Sequence, residues 1–322
     1  MALPVLDFNS FIGPEGHVSE AFCEALIQGF ARFGFVKIIN HGIPEEVISK
    51  ALDWNARFFR LPEDVKKTVA HPARPNPHRG WSTVGQEKLP ARRHQGSVLH
   101  APETFDQGSR TDSLYPNIWP AEDDFPGFRD FMEPLFDRFS LMHKQILQAL
   151  EQGLGLPDSR IQSLCTRDEA ELRLTHYPPI EVSRLKEGKT TRIAEHTDFG
   201  TVTLLFQDST GGLEVEDQQE EGRFLPVESA RTTDMIVNIG DTLQRWTNDK
   251  LRSVNHRVTI PAEMKDLETG WIPARYSIAY FGKPNRDVSM RHFAEFSGDG
   301  CSRNAEDITA WEYNFKMVHK TY

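Results

Sequence analysis

The run Arg192-Ile193-Ala194-Glu195-His196-Thr197-Asp198-Phe199-Gly200 sets an imidazole and a carboxylate two residues apart. In an extended strand successive side chains point to opposite faces, so His196 and Asp198 point the same way and can share one ion. A second imidazole, His256, stands 58 residues after the aspartate, inside the strand-like segment Leu251–Val258. Two histidines and one carboxylate on one side of an ion leave three adjacent coordination positions open. That facial set suits non-haem Fe(II) and its chemistry with O2. The pair alone means little: 12 His among 47 Asp and Glu in 322 residues yield about two His-x-acid pairs by chance. What adds weight is order. After His256 comes Arg275-Tyr276-Ser277, at the head of an alternating run that ends at Phe281. A guanidinium offers a planar, charge-assisted fork to a carboxylate, and the Ser277 hydroxyl on the same strand face adds a donor. The tripeptide pattern recurs at Arg138-Phe139-Ser140 in a helical stretch, so its place after the second histidine carries the inference.

These residues need strands to hold them. From Leu172 to about Phe281 the chain reads as short strands separated by Gly and Asp turns: 172–177, 192–198, 201–206, 213–215, 223–227, 235–239, 253–260 and 276–281. Such spacing predicts a sandwich, jelly roll or barrel. In a jelly roll the inward positions of three strands converge at one mouth, which is what the metal set and Arg275 require. Ahead of it, apolar spacing predicts a short strand at Pro4–Phe8 and helices over Ser19–Phe33, Glu45–Phe59 and Phe125–Leu154, with a shorter one after Pro62. Residues 70–124 carry seven prolines and little periodicity, and predict a long irregular excursion that walls the pocket. Residues 305–322 predict a closing amphipathic helix. The expected organisation is a single domain, 1–322. Residues 1–170 form a helical and loop layer, and 171–285 form the jelly-roll core.

With 38% hydrophobic residues the chain can bury a sizeable core. A formal charge of -10, a pI near 5.7 and no long basic cluster argue against nucleic acid or an anionic membrane as partner. No basic, apolar leader and no run of about 18 apolar residues is present, so a cytoplasmic protein is expected. Cys23, Cys165 and Cys301 are scattered and odd in number, which suits packing in a reducing compartment. His41, in Asn40-His41-Gly42, reads as a turn residue rather than a ligand. The expected partner is a small molecule, with no obligate protein partner evident.

The ordered motifs resemble the 2-oxoglutarate and Fe(II)-dependent dioxygenases, in the branch that looks like isopenicillin N synthase and the plant flavonoid and gibberellin oxygenases. The resemblance runs through Gly34–Ile43, Phe58–Pro62, Tyr177-Pro178-Pro179, His196–Gly200, Gly211–Val215, Gly240–Asn248, His256–Val258 and Arg275–Ile278. It implies a distorted double-stranded β-helix, a jelly roll, mainly β with flanking helices. It implies His196, Asp198 and His256 as iron ligands, Arg275 and Ser277 on the distal carboxylate of 2-oxoglutarate, and Tyr177 near its other end. The implied chemistry consumes O2, oxidises a substrate C–H bond and releases succinate and CO2. The chain departs at Thr175, where many relatives have Asn. It departs again in the 19-residue step from His256 to Arg275, with 263–270 as the inserted loop.

The Arg-x-Ser pair reports a carboxylate without saying whose. It serves 2-oxoglutarate in most of the family and the substrate in isopenicillin N synthase, so an oxidase that needs no 2-oxoglutarate stays open. A non-catalytic metal-bound binding module and a Zn(II) hydrolase also fit the triad, the latter leaving Arg275, Ser277 and Tyr177 without a task. Substrate contacts are expected from Arg192, inward by parity with His196, from Leu204, Phe206 and Phe281, and from Arg79, Trp81 and Phe105 in or beside the excursion. A metabolite of specialised metabolism is the expected substrate.

Overall fold

Ser19 begins the first helix, α1 (Glu20–Phe33), its hydroxyl accepting from the Phe22 amide at 3.3 Å. Such a cap is worth about 1 kcal/mol. Gly34 ends the helix at φ 68°, where a side chain would be strained and a Cβ would strike Val254. The chain then turns into β2 (Phe35–Ile39), which lies parallel to β1 (Val5–Asp7) and antiparallel to β14 (Met235–Ile239). The amino-terminal segment is thereby built into the same sheet as the carboxy-terminal half. Two further helices follow, α2 (Glu45–Phe59) and α3 (Glu63–Thr68). The computed structural model describes residues 2–13, 16–72, 77–86, 88–90, 97–100, 102–188, 190–228, 231–297 and 306–318.

Where an irregular excursion was expected, the chain forms β3 (Gly80–Ser82), β4 (Lys88–Pro90), β5 (Ser97–His100) and β6 (Glu103–Gly108). β6 pairs with β7 (Glu171–Tyr177) over six positions, and β3 pairs with β6. The β6 pattern was hidden because its polar residues are buried as pairs. Glu103 takes Lys66 at 3.0 Å and Asp106 takes Arg173 at 2.7 Å, so inward positions do not read as apolar. After α4 (Phe128–Gly153) and β7 come β8 (Ile180–Glu181), α5 (Val182–Lys186), β9 (Thr190–Thr191) and β10 (Ile193–His196). The chain continues through β11 (Val202–Gln207), β12 (Leu213–Glu216) and β13 (Phe224–Pro226). After β14 it forms α6 (Asp241–Trp246), β15 (His256–Val258), β16 (Trp271–Ile272), β17 (Arg275–Phe281) and α7 (Ala310–Val318).

Eight strands make the large sheet, in the order β1-β2-β14-β11-β17-β7-β6-β3, and four make a smaller one, β10-β15-β12-β13. One face of the large sheet carries Leu172, Leu174, Leu204, Phe206, Ile278 and Tyr280 into a core shared with α1, α2 and α4. The other face looks toward the small sheet, where Phe35, Tyr177, Val215, Ile236 and Val258 form a second, smaller core. This is the jelly roll with flanking helices. The 263–270 segment leads into β16, which pairs with β8 as a separate ribbon. α7 is held by Tyr313, whose hydroxyl donates to Asp241 at 2.6 Å, and by Trp311 stacked on Tyr115 at 5.4 Å. Of the rest of the expected closing helix, 306–309 are not helical, Thr309 bridging to Ser289, and Ala305 and 319–322 lie outside the described residues, as does Cys301. Cys23 and Cys165 are buried free thiols.

On α4, His143 is fully enclosed against Tyr280, with Nε2 2.8 Å from the Thr201 hydroxyl. Burial holds this imidazole down to about 4, against an ordinary 6.5. Between those values the unfolded chain binds a proton that the folded chain does not, so stability present above pH 6.5 drains away as the pH falls. The loss from this group is about 2 kcal/mol by pH 5. His143→Gln, which can keep a bond to Thr201, is expected to flatten the fall in Tm between pH 7 and 5. An unchanged slope would assign the acid sensitivity to other groups.

Candidate functional site

β10 ends at His196, and Asp198 follows in the bend that leads to β11 rather than on the strand itself. Opposite it, β15 brings His256 into register with His196. The two ring centroids are 4.2 Å apart. Each Nε2 lies 3.8 Å from the same oxygen, Asp198 Oδ1, and the three possible ligand atoms fall within 4.8 Å of one another. The other ring nitrogens face main-chain carbonyls, His196 Nδ1 at 2.9 Å from Ala194 and His256 Nδ1 at 3.2 Å from Val254. A carbonyl can only accept, so each Nδ1 carries the proton and each Nε2 keeps its lone pair for a metal.

The second carboxylate oxygen is occupied. Asp198 Oδ2 accepts from the Thr203 hydroxyl at 2.6 Å and from the Asn238 amide at 2.7 Å. Burial alone would push this carboxyl up, but the His256 and His196 rings when they carry charge, together with these two donors, outweigh it and hold it below the ordinary range. The donor chemistry, imidazole nitrogens and a charged carboxylate oxygen, fits Fe(II).

Arg275 lies deeper in the same cavity, fully buried. Its Nη2 donates to Gln207 Oε1 at 2.5 Å, and its Nε and Nη1 have no partner. Tyr177 faces it across the register, with the guanidinium 4.6 Å from the ring centroid, and Ser277 shares its strand face. Among the described residues no carboxylate pairs with Arg275. A buried cation with two orphaned donors is costly unless an anion meets it, so this end fits the carboxylate of a co-substrate. Thr175 stands opposite Ser277 and also lines the cavity.

The cavity holds about 160 Å³ and runs between the two sheets, from Arg275 past the triad. Phe281 lines it, as do His78, Pro102 and Thr104 from the excursion and Asn314 from α7. Several residues expected there lie elsewhere. Leu204 and Phe206 belong to the helical core, because Thr203 and Leu205 take the inward positions of β11. Arg192 is displaced by a bulge in which three steps of β10, Ile193 to His196, match two of β15, Val258 to His256. The extra residue breaks the parity, and Ile193 takes the inward place. Arg192 instead donates to the Pro273 carbonyl at 2.5 Å. Burial and the neighbouring Arg275 bring its guanidinium down to about 10. Arg79 is spent on Asp112 and the Tyr115 carbonyl, Trp81 donates to Glu103 at 2.8 Å, and Phe105 packs on Phe58 and Phe128. His41, read as a turn residue, bonds the Thr233 carbonyl at 2.9 Å.

Residues 169–284 match the family model of the 2OG-Fe(II) oxygenase superfamily, and residues 3–122 match that of the non-haem dioxygenase in morphine synthesis N-terminal region. The chain is 50% identical to the proline hydroxylase buaE of Petromyces alliaceus over all of both chains. It is 47% identical to the 2-oxoglutarate-dependent dioxygenase gloF of Glarea lozoyensis, again over the whole of each. The chain belongs to the 2-oxoglutarate- and Fe(II)-dependent oxygenase superfamily. Among solved structures, a full-length Neurospora crassa protein in complex with alpha-KG and thymine superposes with a TM-score of 0.87. The identity is 31%, over 99% of this chain and 97% of that one.

The oxygenase therefore uses Fe(II), 2-oxoglutarate and O2 to oxidise a C–H bond of a small molecule, releasing succinate and CO2. Its relatives do not support the reading without 2-oxoglutarate, nor that of a non-catalytic module. Among the described residues no helix is long and apolar enough to cross a membrane.

Thr203 and Asn238 were not foreseen as site residues. The signal was there for Asn238, a lone amide within Met235-Ile236-Val237-Asn238-Ile239, since a buried polar group in an apolar strand needs a partner. Outer partners of metal ligands typically contribute about 10- to 100-fold in metal affinity. Thr203→Val is expected to weaken Fe(II) or Co(II) binding by roughly that factor. Equilibrium titration of a variant with unchanged Tm measures it, and native affinity would remove Thr203 from the metal's support.

Proposed function

We propose that the chain is a hydroxylase of a free amino acid of the proline type, with His196, Asp198 and His256 holding the iron and Arg275 and Ser277 holding 2-oxoglutarate. The observation that carries the substrate class is the 50% identity, end to end, with a proline hydroxylase. Bound iron supplies O2 activation coupled to oxidative decarboxylation of the 2-oxo acid. The protein's part is positional. The orphaned Nε and Nη1 of Arg275 meet the distal carboxylate, and Ser277 and Tyr177 bound the same end. Gln207 fixes the guanidinium through Nη2, leaving its other edge for the ligand. Ile193, Leu205 and Leu213 wall the space between that end and the triad with hydrocarbon, which keeps water from the reacting atoms.

Anaerobic protein with Fe(II) should develop a weak visible charge-transfer band when 2-oxoglutarate is added. His196→Ala abolishes the band, and Arg275→Ala requires about 10- to 100-fold more co-substrate to form it. With O2 and L-proline, succinate and a product heavier by one oxygen should appear in equal amounts. A band that forms normally without Arg275 would sink the co-substrate assignment. Failure of every amino acid tried, beside turnover of another metabolite, would sink the substrate class.

A further inference from the structure

The Arg275 end of the cavity is short of acceptors. Arg275 leaves Nε and Nη1 unmet, Gln207 leaves Nε2 unmet, and Arg192, just ahead of β10, leaves its own Nε and Nη1 unmet. All three side chains are buried. A distal carboxylate would take up the donors of Arg275 but not those of Arg192, which stands outside the cavity. Among the described residues the one hydrogen bond of the Arg192 side chain runs from Nη2 to the Pro273 carbonyl at 2.5 Å. A neutral donor would serve that carbonyl equally well. What a neutral side chain could not supply is the charge.

That charge is costly where it stands. Asp208, whose charge reaches Arg192, is engaged instead by the main-chain amides of Thr210 at 2.9 Å and Tyr276 at 2.6 Å. Tyr177 is shared between the two arginines, its ring centroid 5.9 Å from the Arg192 guanidinium and 4.6 Å from that of Arg275. One ring compensates two cations weakly. Burial, and then the neighbouring Arg275, bring Arg192 down to about 10, which leaves it charged at neutral pH. A fully buried cation without an acid destabilises the fold that holds it. A dianion arriving at Arg275 reverses the sign, because it brings the counter-charge that both guanidiniums lack. Unit charges roughly 8 Å apart at an effective dielectric of about 20 change an affinity by about 10- to 30-fold. Between buried groups, salt screens that attraction little.

We infer that Arg192 is an electrostatic positioning residue for the co-substrate, its charge favouring a 2-oxo acid that carries a second carboxylate over one that does not. It touches neither metal nor ligand and acts through the field it adds to that of Arg275. The inference rests on the assignment of the distal carboxylate to Arg275 made above.

The test uses full-length protein with Fe(II) and without O2, titrated by calorimetry and by the visible band. The probes are 2-oxoglutarate and 2-oxopentanoate, which has the same skeleton with a methyl in place of the distal carboxylate. Arg192→Gln keeps a donor for the Pro273 carbonyl and removes the charge. It is expected to bind 2-oxoglutarate about 10-fold more weakly and 2-oxopentanoate as the wild type does, while Arg192→Lys recovers most of the lost preference. The ligand-free Gln variant should melt at or above the wild-type temperature, because an uncompensated charge has gone. A lowered Tm with both oxo acids weakened alike would make Arg192 structural and overturn the inference, as would an unchanged preference in a folded variant. Should Arg192→Gln not fold, Arg192→Met must show the same selective loss, and failure of both to fold also assigns the charge to the fold. If Arg275→Ala leaves 2-oxoglutarate binding unchanged, the co-substrate assignment falls as well. If Arg275→Ala weakens it and the Arg192 variants do not, that assignment stands and this inference alone is lost.

Discussion

Asp198 must offer one oxygen to a metal and must not offer the other. The hydrogen bonds from Thr203 and Asn238 to Oδ2 meet that requirement, and most of the architecture can be traced to supplying them. Thr203 and Asn238 are register partners on β11 and β14, so both donors exist only if those strands pair as they do. The carboxylate itself arrives on the bend after β10, which belongs to the other sheet. The two sheets are therefore joined at the metal position by side-chain bonds and by main-chain bonds, among them the Asp241 amide to the Asp198 carbonyl at 2.7 Å. Gly200, Gly240 and Gly282 make this junction close enough. A Cβ on Gly200 would enter the Gly282 carbonyl, and one on Gly240 would enter that of Gly200.

Charge divides the cavity into two ends. At one, Arg275 is buried 4.6 Å from the Tyr177 ring, with Arg192 outside the cavity 5.9 Å from the same ring, neither having an acidic partner among the described residues. Arg275 weakens the hold of Arg192 on its proton, and a carboxylate entering there relieves the repulsion. At the other, Arg173 and Lys283 come with Asp106 and Glu171. Burial would push Glu171 up, but Lys283, His78 and Arg79 hold it well below the ordinary range, so that wall keeps both signs at working pH.

Much of the site was legible because its determinants are local. His-x-Asp, the later histidine and the Arg-x-Ser strand are each set by residues within a few positions. Strands such as Met235–Ile239 announce themselves by composition. The failures have separate causes, the first being that parity was counted through a place where register is not conserved. The bulge before His196 turned Arg192 out and Ile193 in. Counting back from Asp198, which is not on a strand, compounded it. Leu204 and Phe206 were expected at the pocket, yet the sheet has apolar material on both faces and only pairing decides which is which. The strand at 103–108 escaped because ion pairs such as Arg173–Asp106 replace hydrophobic alternation with charge, and a charge in a sequence does not name its partner.

The glycine junction has an evolutionary consequence. Because the strap bearing Asp198 meets the sheet at Gly200, Gly240 and Gly282 through main-chain atoms, no side chain there can drift in size and tilt the metal. The cavity wall built from Leu205, Ala279, Phe281 and Arg173 can meanwhile exchange residues one at a time. A lineage can therefore explore new substrates by neutral steps on that wall while its oxidative chemistry stays inherited, and recruitment to a new biosynthetic task need not pass through an inactive ancestor.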